Sequence, residues 1–175
     1  GANGAGAVRS AIEQNDNISD AASIYPVGGL GGFQFGVLDS HFSRRVREGR
    51  LVRATFDSAM DYGFGVDENT ALLVSQPDTT GTTHFSVLGA GGIFIVDVRA
   101  ARGGSIPPKL FIVEGVQAHY LLPGDTATID AAGKLQVTLS ARTQPLPAAD
   151  KNKMAFQDRL FDRGTSNFLN LATAM

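Results

Sequence analysis

Asp39-Ser40-His41-Phe42-Ser43-Arg44-Arg45-Val46-Arg47-Glu48-Gly49-Arg50-Leu51 is the stretch on which the reading of this chain turns. A short apolar run ending at Val37-Leu38 leads into it, and beyond it Leu51, Val52, Phe56, Ala59 and Met60 recur at helical spacing. This pattern predicts a strand-to-helix junction, with Ser43 capping a helix over about 44–60. α/β folds display their sites at such junctions. His41 is the candidate general base there, because an imidazole titrates near neutrality, and Asp39 is a carboxylate able to orient it. Arg45, Arg47 and Arg50 offer guanidinium forks for a carboxylate, either a substrate's or the protein's own. The plainer alternative is that His41 packs the junction and the arginines coat a solvated helix face.

Outward from the junction, Gly63-Phe64-Gly65-Val66-Asp67-Glu68-Asn69-Thr70-Ala71 sets two carboxylates and an amide just ahead of a strand. The alternating acidic positions of a calcium loop are absent. The segment therefore reads as a hydrogen-bonded turn, with Asp67 or Glu68 available to the arginines of the preceding helix. From Ala71 the period shortens to strand-like runs at 71–75, 84–88, 93–98, 110–113, 126–129 and 135–140, divided by connectors at 77–81 and 103–108. His84 and His119 fall among apolar neighbours and lack the close partners of a zinc site, so both read as packing or hydrogen-bonding residues. Short helices are predicted over 7–13 and 153–163.

Composition narrows the function classes. A chain of 175 residues with 43% hydrophobic content suits one domain, divided into the junction and its helix at 1–70, a strand-rich 71–145 and a helical tail at 146–175. The net charge of −2 provides no cationic surplus for phosphate neutralisation, so no nucleic-acid partner is expected. No apolar run approaches the roughly 18–20 residues of a membrane-spanning helix, so no membrane partner is expected either. Without cysteine there is no disulfide, thiolate nucleophile or thiolate metal site.

Three stretches together resemble the cyanophycinases and their relatives among the aspartyl and isoaspartyl dipeptidases. Asp39-Ser40-His41-Phe42 with Arg45, Arg47 and Gly49-Arg50-Leu51 is similar to that family's Asp-Gln-His-Phe motif and the arginine helix behind it. Gly63–Ala71 resembles the family's Gly-x-Gly-x-Asp-Glu-x-Thr-Ala segment, and His119-Tyr120-Leu121-Leu122-Pro123-Gly124-Asp125 its later His-x-Leu-x-x-Gly-Asp stretch. The resemblance implies an α/β, class I glutamine-amidotransferase-like (flavodoxin-like) sandwich. In that family a serine at a strand-to-helix elbow attacks a peptide carbonyl, which here would make His41 the base. It implies a carboxylate-bearing peptide substrate held by Asp39, Ser40, Arg45, Arg47 and Arg50, with no cofactor and no metal. Glu13, Asp16 and Asp20 are the candidates for the acidic third member, with Glu13 placed first.

The chain departs from the family pattern in three places. Ser40 replaces the usual glutamine, which bears on substrate specificity. The family's Gly-x-Ser-Ala-Gly-Ala elbow aligns with Ala2-Asn3-Gly4-Ala5-Gly6-Ala7, so Gly4 occupies the nucleophile position. A hydrogen cannot attack a carbonyl, and loss of a triad nucleophile removes several orders of magnitude of turnover. The family fold also draws its first strands from an N-terminal half. The expectation is therefore an incomplete sheet, finished by a complementary N-terminal chain or a homo-oligomer partner.

Overall fold

The computed structural model describes residues 31–45, 47–106 and 110–141. Gly4, Glu13 and the helices expected over 7–13 and 153–163 lie outside the described residues. In chain order the described elements are β1 (Val37–Ser40), a 3-10 turn at Ser43–Arg45, α1 (Glu48–Asp57), β2 (Tyr62–Val66), β3 (Thr70–Val74), β4 (Thr83–Gly89), β5 (Ile93–Asp97), β6 (Arg102–Ile106), β7 (Leu110–Glu114), β8 (Gln117–Leu121), β9 (Thr126–Ile129) and β10 (Leu135–Thr138). They divide into two compact units, one of residues 31–66 and 94–119 and the other of 67–93 and 120–141.

The first unit is organised by a βαβ element. β1 and β2 pair in parallel, with Val37 opposite Gly63 and Ser40 opposite Val66. Parallel neighbours need a crossover, and α1 supplies it. The sheet order is β1-β2-β5-β8. β5 reads Ile-Phe-Ile-Val-Asp and is buried at every position, the continuous apolar run of a strand covered on both faces. Phe42, Leu51, Tyr62, Phe64, Phe94, Ile95 and Val96 make the core of this unit.

Two expectations are corrected here. Gly63–Val66 is strand, not turn, and its glycines mark close approach. A Cβ on Gly63 would lie 2.2 Å from the Thr55 Oγ1 of α1, and one on Gly65 2.3 Å from the Phe42 ring. The helix begins at Glu48 rather than 44, and its N-cap residue is Arg47, which makes no side-chain capping bond. Arg47 instead folds back onto Asp39 and Ser40 just ahead of the first α-helical residue. The buried face of α1 is correspondingly Glu48, Gly49, Leu51, Arg53 and Thr55, while Ala59 is exposed.

In the second unit the described strands pair antiparallel, in the order β10-β9-β4-β3. Alternate residues point inward, and Phe85, Val87, Ala127 and Ile129 form the buried side. The connector expected at 77–81 is a turn closed by Asp78, whose carboxylate accepts the Thr80 and Thr82 N–H groups at 2.8 and 3.0 Å. The other expected connector is revised, because Gly103–Ile106 belongs to β6, which pairs with β7 as a hairpin. Gly103 is required at its position, since its φ is 139° and a Cβ would meet the Ile112 carbonyl oxygen at 2.1 Å.

Candidate functional site

At the carboxyl end of β1 the chain reverses sharply. His41 takes a left-handed backbone conformation with φ of 53°, which for a residue with a side chain costs about 1–3 kcal/mol and persists only where the surroundings enforce it. Two anchors do so. On one side Phe42 is fully buried, stacks on Phe94 with ring centroids 5.2 Å apart, and donates its N–H to the Val66 carbonyl at 3.2 Å. On the other side the buried Asp39 accepts the Ser40 N–H at 2.9 Å. Between these anchors Ser40 and His41 are exposed. A strained turn thus presents an imidazole at the end of a parallel strand.

The arginines divide into two kinds. Arg47, only 5% exposed, donates to the Asp39 Oδ1 at 2.8 Å and to the Ser40 carbonyl at 2.6 Å. Arg50 reaches the same Oδ1 at 3.2 Å. Both guanidinium groups therefore engage the protein's own carboxylate and hold the β1 end against α1. Arg45 closes the 3-10 turn and is exposed. Burial, together with the neighbouring charges of Arg47 and Arg45, holds the Arg50 guanidinium below its usual range, against the opposing pull of Asp39. Between residues 39 and 50 four arginines stand against two carboxylates, so the junction carries a positive surplus. Its chemistry suits an anionic group, with the exposed Arg45 guanidinium and the His41 imidazole presented at the same junction.

Asp67 is engaged within its own unit, where its carboxylate accepts the Gly92 N–H at 3.1 Å and the Tyr120 hydroxyl at 2.5 Å. His84 is exposed and pairs with Asp78 at 3.1 Å. His119 is half-buried, and burial holds it below its ordinary value against the opposing charge of Asp97. Among the described residues no cluster of three or more His, Asp or Glu side chains could hold a metal ion. No helix among them is long and apolar enough to cross a membrane.

Two polar centres were given no role from the sequence. Arg99 forks onto the buried Asp97, with its Nη2 2.6 Å from Oδ2, and lies over the Tyr62 ring at 4.9 Å. Burial pushes the Asp97 carboxyl up, but the Arg99 bonds and charge outweigh it and hold it below its usual range. Asp125, fully buried, accepts the Leu122 N–H at 2.8 Å and the Ser140 N–H at 2.7 Å. The available signals were an Asp-x-Arg spacing at a strand end and an aspartate directly after Pro-Gly. A comparison with models of known protein families finds none that matches the chain.

Proposed function

We propose that the chain is a cyanophycinase-like serine-peptidase scaffold, the C-terminal half of that fold, which binds carboxylate-bearing aspartyl or β-aspartyl peptides without hydrolysing them. The observation that carries the reading is the β1 junction, where His41 is presented on a strained, exposed turn beside an arginine surplus. In this reading Arg47 and Arg50 set the junction's shape through Asp39, and Arg45 meets the incoming carboxylate. Ser40 and His41 line the approach.

Glycine at the nucleophile position favours a binding role over the hydrolytic one. In an active relative His41 would take the proton of a serine hydroxyl, and a tetrahedral intermediate would form on the attacked carbonyl. Gly4 has no hydroxyl to give, so this acyl-transfer route is closed. Among the described residues no strand pairs with the outer side of β1, and this is the edge to which a complementary N-terminal chain or a homo-oligomer partner would add strands.

The test is incubation with a β-aspartyl dipeptide, following both amine release and the His41 imidazole resonances by NMR. The expected result is a saturable shift of the His41 signals with no release above the buffer rate. Unchanged His41 signals at millimolar peptide would remove the binding reading, and hydrolysis abolished by His41→Ala would remove the claim of inactivity.

A further inference from the structure

We propose that β3 is a self-pairing edge, through which two copies of this chain join their antiparallel sheets into one about a two-fold axis at Leu72. The argument rests on ladder phase. In an antiparallel pair, residues that exchange N–H and C=O bonds alternate with residues whose main-chain groups point away. The Ser75 N–H bonds the His84 carbonyl at 2.9 Å, and the Ala90 N–H bonds the Asn69 carbonyl at 3.0 Å. Together with the register of Ala71 opposite Leu88 and Leu73 opposite Ser86, these bonds give the odd-numbered residues of β3 to β4. The N–H and C=O groups of Thr70, Leu72 and Val74 therefore face outward. Among the described residues no strand pairs with that side, since β3 ends the order β10-β9-β4-β3.

The composition of the strand selects the occupant. Edges are ordinarily guarded by Lys, Pro, a bulge or an inward charge, and Thr70-Ala71-Leu72-Leu73-Val74 has no charge and no proline. An antiparallel copy centred on Leu72 sets Leu72 opposite Leu72, Thr70 opposite Val74 and Ala71 opposite Leu73, so no like charges meet. Each outward-facing group then finds the complementary group of the partner's β3. On the outer face Leu73 is 56% exposed and Leu88, across from Ala71, is 55% exposed. The same symmetry brings Leu73 of one copy beside Ala71 of the other, next to that copy's Leu88. Large therefore meets small, and the two exposed apolar patches become one. This inference is independent of the peptide-binding reading, since it uses neither His41 nor the arginines.

The experiment is analytical ultracentrifugation of the whole chain with hydrogen exchange across a hundredfold dilution series. The expected mass at high concentration is twice 18.4 kDa. The Leu72 and Val74 amides should be slowed there and lose at least tenfold of that protection on dilution. Leu73→Lys, a change at an exposed side chain, should give the single-chain mass with an unchanged circular dichroism spectrum. A single-chain mass at every concentration would overturn the proposal. Concentration-independent protection of Leu72 and Val74 would also overturn it, because a segment of the same chain would then cover the edge. A dimer undisturbed by a folded Leu73→Lys would do the same by placing the contact elsewhere.

Discussion

Replacing Asp39 with alanine should destabilise the first unit far more than any surface change. Asp39 is 9% exposed, and its Oδ1 receives three donors, from Ser40, Arg47 and Arg50. Its removal leaves the Arg47 guanidinium, itself 5% exposed, with the Ser40 carbonyl but without this carboxylate. Stripping one member from a buried pair costs about 3–5 kcal/mol, mostly through the charge left behind. For a chain of this length that is a fall in Tm of roughly 10 °C. Asp39→Asn should recover little. The amide keeps one acceptor oxygen for the Ser40 and arginine donors but carries no charge to balance the buried Arg47. Replacing both partners, Asp39→Ala with Arg47→Met, should return at least 1 kcal/mol relative to the sum of the single changes. Urea titrations and thermal melts of the unaltered chain, Asp39→Ala, Asp39→Asn, Arg47→Met and the double change provide the comparison. If Asp39→Ala costs less than about 1 kcal/mol, or the pair behaves additively, the ion pair does not hold the junction and the reasoning fails.

Gly65→Ala should cost about 1–3 kcal/mol by driving a methyl into the Phe42 ring. It should also shift the His41 resonances, since Phe42 anchors that turn. Asp125→Ala removes the acceptor of the part-buried Leu122 and Ser140 N–H groups and should lower stability by about 1–3 kcal/mol in urea titration. Burial holds His119 below its ordinary value of 6.5, so the unfolded chain takes up that proton first. Stability contributed by its neutrality is therefore present above pH 6.5 and is lost as pH falls from there toward the folded pKa. His119→Gln should flatten that part of the stability-against-pH curve, and an unchanged slope would contradict the assignment.

The strands of the second unit were legible because their alternation matches what each strand buries, whereas β6 and β8 were not read as strands. β9 was read with its observed bounds, Thr126–Ile129, where Ala127 and Ile129 face inward between polar neighbours. β2 was not legible. Its glycines look like turn signals, and only the nearness of Thr55 and Phe42, distant in sequence, explains why no side chain fits there. The helix start misled for a similar reason. Ser43 is a plausible cap, but Asp39 engages Arg47 across the junction and the α-helix starts at Glu48. His41, Asp39 and the arginines were recognisable as a cluster from spacing alone. The division between two guanidinium groups bound to Asp39 and an exposed Arg45 depends on how the turn folds back, and linear spacing does not encode it.

The most direct test of the peptide-binding account is calorimetric titration of a β-aspartyl dipeptide into the chain and into its Arg45→Gln variant, at low and high salt. The account predicts saturable binding that weakens as ionic strength rises. It also predicts a loss of about tenfold in affinity on Arg45→Gln, the scale of one charge-assisted contact, with the stability of the variant unchanged. Equal affinity in both proteins, or no heat of binding at millimolar peptide, would contradict it.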